Sequence, residues 1–299
     1  MDADRPHRHA RPHRMRRCRH QRGDEGSSGG TRTSRAHNTN GAAILGMHLE
    51  GPFISPHRLA AHPPLNLVPA GEALERILSL RSLRIITLAP ELDGALEAIR
   101  RLAARGVTVA LGHSDATYDQ ALAATTAGAT AVTHTFNAMR LFHHREPGLA
   151  GAALTHPKLY PAVIADGVHV HPAAVSLVCR SPNAYLVSDR VAPAGMTASA
   201  SATTFGGLAG KAGVIGGAVR LANGTLAGAT ASILDGTRLL ARDSLIDATT
   251  IPRLTSGAAA ELLGLSDRGR LQPRAQADLL LLDRDLRLKA VFVRGRDID

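Results

Sequence analysis

Cysteine is scarce in this sequence: among 299 residues only Cys18 and Cys179 carry a thiol, and they form neither a C-x-x-C pair nor any zinc-knuckle spacing. A disulfide framework is therefore not the basis of the fold, and both read as free thiols. Long apolar runs are missing too. No stretch approaches the roughly 18 residues of a membrane-spanning helix, and the first residues lack the apolar segment of a signal peptide. No membrane partner is expected, and the cytoplasm is the expected compartment. Acidic residues are in deficit, 25 against 35 basic ones for a net charge of +10, but the excess is local. Residues 1–40 hold ten arginines and four acids, which leaves a surplus of only four charges for the other 259 positions. This segment has almost no aliphatic residues and no periodicity, so it is expected to be a disordered basic tail. Arginine-rich disorder can neutralise phosphates, yet no aromatic stacking platform accompanies it, and nucleic acid is not the expected partner. His7 and His9 lack the strand that would hold a metal pair.

From Gly41 the pattern changes to short apolar runs ending in polar or turn residues: "AAILGMHLE", "RIITLAP", "VTVALGHSD", "ATAVTHTFN", "PAVIADGVHV" and "AYLVSDRVAP". Near-continuous apolar strands of this kind are buried on both faces, as in a parallel sheet. Between them "ELDGALEAIRRLAARG", "DATYDQALAATTAG" and "HPAAVSLVCR" have helical spacing, the first two stopping at a glycine. Repeated βα units predict an α/β fold, either a parallel barrel or a doubly wound sheet. The Gly/Ala-rich residues 194–224 read as loop, with helices expected near 229–242 and 255–264. The stretch "ADLLLLDRDLRLKAVFVRGR" then reads as two strands joined by a tight polar turn, in a small sheet of its own.

Five of the six strands carry a titratable group at or just beyond the C-terminal end: Glu50, His113, His134, Asp166 with His169, and Asp189. In a (β/α)8 barrel these positions open onto one face, so residues distant in sequence converge. One carboxylate and two histidines are an ordinary three-ligand set for Zn²⁺ or a similar divalent ion, leaving one position open. A separate Asp could then act as base on the attacking water. Asp166 reads as fixing the turn before His169.

The motifs "HLEGPFISP", "AHPP", "TLAPE", "LGHSDATYDQ", "THTFNAM", "REPGLAGAAL", "ADGVHVHP", "SDRVAPAG" and "NGTLAGA" together resemble the N-acetylglucosamine-6-phosphate deacetylase family of the amidohydrolase superfamily. The C-terminal "SGAAAELLGLSDRGRLQPRAQADLLLLDRDL" resembles the segment with which amidohydrolases return to a small β-sandwich. The resemblance runs from about residue 44 to 296 and implies a TIM-type barrel over residues 41–265 and a sandwich segment over 266–299. It implies Glu50, His113 and His134 as ligands of one divalent ion, Zn²⁺ first, with Fe²⁺, Co²⁺ or Mn²⁺ as alternatives. Asp189 would take a proton from the attacking water and return it to the leaving amine, and His62 would contact the acetyl oxygen. Asn137, Ala138, Arg145 and His169 would bind a small amino-sugar phosphate, with Ile233 where the family often carries a substrate-contacting methionine. In the family that arginine can come from a neighbouring subunit, which implies a homodimer.

The sequence also departs from the family. No strand resembling the first two of the barrel precedes Gly41, so an incomplete barrel of six strands is expected, with only a remnant of the sandwich. The alternative to a deacetylase is thus a homologue that keeps the residues but serves as a binding or structural remnant. Arg190 directly follows Asp189, where a cation is expected to depress the carboxyl pKa or block the pocket. "HRLAAHPP" lacks the family's basic residue and glycine before Ala61-His62, which implies a differently shaped loop.

Overall fold

The six apolar runs become six strands: β1 (Met47–Glu50), β2 (Leu83–Leu88), β3 (Thr108–Leu111), β4 (Ala131–Val132), β5 (Tyr160–Ile164) and β6 (Tyr185–Val187). The structure is a computed structural model that describes residues 41–65, 67–191, 203–204 and 211–298, apart from the side chains of 203, 204 and 211. The tail expected over residues 1–40 lies outside them.

All six strands are parallel and pair in sequence order, β1-β2-β3-β4-β5-β6. A helix separates each pair: α1 (Gly71–Leu78), α2 (Ala95–Ala104), α3 (Tyr118–Ala127), α4 (Gly148–Thr155) and α5 (Pro172–Cys179). An uninterrupted order excludes the doubly wound alternative, which needs a reversal of strand order. The sheet curls as a barrel wall, and the described residues supply six of the eight strands of a closed barrel of this class.

Burial explains the composition of the strands. Ile86 and Leu88 of β2, Val109 and Leu111 of β3 and Val132 of β4 are fully buried in one core with Ile99 and Leu102 of α2 and Leu149 of α4. Helix α2 buries Ala95, Ala98, Ile99 and Leu102, the spacing that lays one apolar stripe on the sheet. Removing each of its larger side chains from water stabilises the fold by about 1.5–3 kcal/mol. Helix α3 starts at a capping box in which Thr117 and Gln120 satisfy each other's backbone N–H. Helix α4 was not expected from the sequence. It buries Gly148 through Ala153 almost completely, and a run of small residues buried all round has no periodicity to read. Cys179 closes α5 as a free thiol, and burial pushes its pKa up to about 11.

The loop reading of residues 194–224 needs correction. Residues 194–202 and 205–210 lie outside the described set, but β7 (Thr203–Thr204), β8 (Lys211–Ile215) and β9 (Ala218–Leu221) join β10 (Leu226–Ala229) in an antiparallel sheet. Its strands are short and glycine-bounded, which hid the alternation. The signal was there: Gly216 and Gly217 both have positive φ, +60° and +81°, as a two-residue hairpin turn requires. Helix α6 (Ile233–Arg242) and a π-helical turn (Arg253–Gly257) leading into α7 (Ala258–Leu262) fill the two expected helical regions. The C-terminal pair, β11 (Leu279–Leu282) and β12 (Leu288–Val293), has a third member, β13 (Arg296–Asp297).

Helix α6 sits tightly against the end of β5. A Cβ on Gly236 would lie 2.8 Å from the Ala165 carbonyl oxygen and 3.0 Å from the Ala165 Cβ. Alanine is the better helix former by about 1 kcal/mol, yet Gly236→Ala is expected to destabilise the protein by about 1–3 kcal/mol through overpacking. Denaturant melts of the two proteins, read for midpoint at constant slope, check this.

Candidate active site

The titratable groups are delivered by a repeated device. Glu50 is the last residue of β1, while His113, His134, Asp166 and Asp189 each stand two residues past the end of β3, β4, β5 and β6. His113, His134 and Asp189 have φ of +47°, +31° and +50°. A left-handed residue at the strand end turns its side chain back over the barrel mouth. For a residue with a Cβ this backbone state costs on the order of 1–3 kcal/mol, and such strain clusters at functional sites.

The result is a tight cluster. Glu50 Oε1 lies 3.1 Å from His113 Nε2 and 2.9 Å from His134 Nε2, and the two imidazole nitrogens are 3.1 Å apart. His62 Nε2 approaches the other carboxylate oxygen at 3.7 Å. Ligand atoms of Glu50, His62 and His113 all fall within 4.8 Å of one another. His113 Nδ1 is 2.9 Å from the Arg58 carbonyl oxygen. That acceptor puts the ring proton on Nδ1 and leaves the Nε2 lone pair facing the cluster, the usual arrangement behind a metal-ligating histidine. Two nitrogens and a carboxylate oxygen cannot all hydrogen-bond within one triangle. Their separations come close to the edge of about 3.3 Å that ligands 2.0–2.1 Å from a tetrahedral ion would have. The donor set fits a divalent cation.

The electrostatics agree. Burial alone would raise the Glu50 pKa, but the imidazoles of His113, His134 and His62 packed around it outweigh that and hold the carboxyl far below its ordinary range. Burial lowers the pKa of His113. For His134 burial acts the same way, and the bond to Glu50 overcomes it to give a net rise. Asp189 is raised, first by burial. The expectation that Arg190 would depress it or block the pocket is corrected: Arg190 is exposed, does not line the cavity, and exerts its field on Asp235. His169 Nδ1 donates to Asp166 Oδ2 at 2.7 Å, and its Nε2 lies 4.0 Å from Asp189 Oδ2. Asp166 also accepts from the N–H of Val168 and His169, so it fixes that turn as expected.

All of these groups but Asp166 line a cavity of about 350 Å³ together with Ala61, Asn137, Ala138, Thr225 and residues 226–228 of β10. Strand β10 is a wall that sequence reasoning missed. It reaches the cavity because a Cβ at Gly228, with φ +129°, would strike Val191 Cγ1 at 2.6 Å. The structure thus brings Glu50, His62, His113, His134, Asn137, Ala138, His169 and Asp189 together. Two expected residues lie elsewhere. Ile233, at the start of α6, packs against the second core cluster, and Arg145 is exposed on the loop before α4.

Nitrogen and carboxylate donors at the C-terminal mouth of a parallel barrel wall, facing a buried aspartate, define the class of metal-assisted barrel hydrolases. Residues 30–298 match the amidohydrolase family, and the chain belongs to it. An N-acetylgalactosamine-6-phosphate deacetylase of Escherichia coli O157:H7 is 38% identical over 264 residues, which span 86% of this chain and 68% of that protein. An N-acetylglucosamine-6-phosphate deacetylase of Vibrio furnissii is 37% identical over 86% of this chain and 65% of that one. A solved structure of a mutant N-acetyl-D-glucosamine-6-phosphate deacetylase from Mycobacterium smegmatis, in complex with N-acetyl-D-glucosamine-6-phosphate, is similar at a TM-score of 0.76 and 37% identity, covering 84% of this chain and 68% of that one. The chain spans about two thirds of the length of these relatives, from 65% to 68%.

Zn²⁺ added to chelator-treated protein is expected to raise the Tm, and at 100 times the Kd it would add about 2.7 kcal/mol of stability. Glu50→Ala is expected to abolish the shift. Thermal melts with and without zinc check this, and an unshifted wild-type melt would show that the cluster takes up no cation.

Proposed function

We propose that this chain hydrolyses the N-acetyl group of N-acetylglucosamine 6-phosphate to glucosamine 6-phosphate and acetate. The observation that carries the reading is the Glu50–His113–His134 triangle facing Asp189 across one cavity. The likeness to hexosamine-phosphate deacetylases at 37–38% identity supports the substrate class.

Glu50, His113 and His134 would hold one divalent ion, with Zn²⁺ favoured by two imidazoles and a carboxylate. Such an ion supplies Lewis-acid polarisation of the amide carbonyl and a stronger water nucleophile. Asp189 stands ready to accept the proton of the attacking water, and burial raises its basicity relative to a solvated carboxylate. The same carboxyl then protonates the leaving amine, without which C–N cleavage would expel an amide anion. His62 Nε2, 3.7 Å from Glu50, donates toward the acetyl oxygen as it gains charge. His169, oriented by Asp166, and the Asn137-Ala138 backbone orient the sugar.

The phosphate raises a question of charge. The described cavity lining holds two carboxylates and four histidines and no arginine or lysine. A phosphate dianion calls for a cation, and Arg145 offers a two-pronged donor on an exposed loop beside Leu141 and Phe142, which are 78% and 52% exposed. These features support a homodimer in which Arg145 serves the neighbouring subunit's cavity. The cytoplasm fits this substrate, since a phosphorylated sugar does not cross a lipid bilayer unaided.

Acetate release from N-acetylglucosamine 6-phosphate by the zinc-loaded protein is the first test. Asp189→Asn is expected to lower kcat by about 10²- to 10⁴-fold, the range for a lost general acid-base group. A folded, zinc-loaded wild type without turnover would favour the binding remnant. Mixing Asp189→Asn with Arg145→Ala chains is expected to restore about a quarter of wild-type activity, because half the dimers are mixed and each has one complete site. Activity of the mixture no greater than the sum of its parts would place Arg145 outside the neighbour's site.

A further inference from the structure

Two residues beyond His113, a carboxylate is gripped from both sides. Arg58 donates from Nε and a terminal nitrogen to Asp115 Oδ1 at 2.8 and 2.6 Å. Arg140 donates to Oδ2 at 3.0 Å and from its own Nε to the Asp115 carbonyl oxygen at 2.8 Å. Arg58 has a second duty, since its backbone carbonyl is the acceptor for His113 Nδ1. Glu91 accepts from the Ser114 hydroxyl and the Asp115 N–H. The loop after β4 is tied in through the backbone, Ser114 N–H to Ala138 O at 3.1 Å and Arg140 N–H to Ser114 O at 3.0 Å.

The loops that follow β1, β3 and β4 therefore meet at one side chain, and the loop after β2 joins them through the Asp115 N–H and the Ser114 hydroxyl. Three of them carry the residues assigned to the chemistry: His62 after β1, His113 after β3, Asn137 and Ala138 after β4. Neither Asp115 nor either arginine lines the cavity, so the cluster touches no substrate. An isolated surface ion pair would contribute little. This one is a fork on one oxygen and a second guanidinium on the other, a geometry that fixes direction as well as distance.

We propose that Asp115 is the positioning residue of this site: clamped by Arg58 and Arg140, it holds the His62 and Asn137 loops in register with His113 and keeps the His113 lone pair aimed at the metal. The assignment rests on the reading of Glu50, His113 and His134 as metal ligands. Removing the carboxylate frees the Arg58 side chain, and with it the carbonyl that sets the His113 tautomer.

The test compares the full-length wild type with Asp115→Asn, Arg58→Ala and Arg58→Lys, with Glu97→Gln as a control that removes a surface pair on α2. Three quantities are read: the zinc Kd by chelator competition, kcat and KM for the acetylated sugar phosphate, and the Tm of the metal-free protein. Asp115→Asn and Arg58→Ala are expected to weaken zinc binding by about 10- to 100-fold, the usual effect of losing a group that orients a ligand. Their kcat is expected to fall more than KM rises. Should Asp115→Asn fail to fold, Arg58→Lys carries the test, because it keeps the charge and the backbone carbonyl but loses the fork. Folded variants with wild-type zinc Kd and kcat and only a lower metal-free Tm would overturn the positioning role. A wild type that binds no zinc would overturn both this inference and the reading of the site beneath it.

Discussion

The arrangement at the barrel mouth depends on one half-buried carboxylate. Glu50 has left water with three imidazoles around it, and an ionised carboxylate so placed persists only if positive charge stays close. Protons on the imidazoles supply that charge only in part: the bond to Glu50 shifts His134 toward its charged form, but burial disfavours protonation of His113 and the two Nε2 atoms face each other at 3.1 Å. Asp189 adds a second negative charge across the cavity, and its pKa rises partly because Glu50 is there. Glu50 and Asp189 thus place two carboxylates on one cavity whose described lining holds no lysine or arginine. A divalent cation held by Glu50, His113 and His134, as proposed above, would offset that charge.

Holding such a group together has structural consequences well beyond the cluster. The strands must end in left-handed residues, and they must lie close. Gly112, just before His113, shows how closely: a Cβ there would lie 2.9 Å from both Thr133 Cβ and Thr87 Cγ2. The missing side chain lets the Thr87 and Thr133 hydroxyls meet at 2.7 Å across β3, and His48 Nε2 joins Thr87 at 2.8 Å. A polar layer under the ligands thus links β1, β2 and the residue before His134. The opposite, helix-covered face of the wall is apolar, with Ile86, Leu88, Val109 and Leu111 wholly buried.

The residues at the C-terminal strand ends were legible because a parallel barrel converts a simple rule, polar group after apolar run, into spatial convergence. That rule found Glu50, His113, His134, Asp166 and Asp189. It could not find Asp115, whose importance comes from Arg58 and Arg140, 57 and 25 residues away, and no local pattern encodes a clamp between loops. Strand β10 was hidden for a different reason. Its role as a cavity wall depends on Gly228 closing onto Val191, and a glycine in sequence reads equally well as loop. Helix α4 escaped because buried small residues carry no amphipathic signal, although Glu146, just before it, satisfies the N–H groups of Tyr118 and Gly148 as a cap would.

The charge inventory also explains why the site divides its labour. The groups proposed to act on the amide are preorganised by strand ends and a polar layer, where a displacement of an ångström would be costly. A fixed arginine in the same cavity would compete with a metal for the two carboxylates and lower the basicity of Asp189. On the proposed reading, a cation for the phosphate is better brought from outside, at a position whose own side chain takes no part in the ligand geometry. Arg145 has that character: it is exposed, its backbone N–H donates to Nδ1 of the exposed His143, and its loop is anchored at Arg140 by the clamp proposed to fix His113. If the proposed roles hold, the clamp sets both how the metal ligands point and where the loop bearing Arg145 begins, so that substrate binding and ligand geometry would share one mechanical origin.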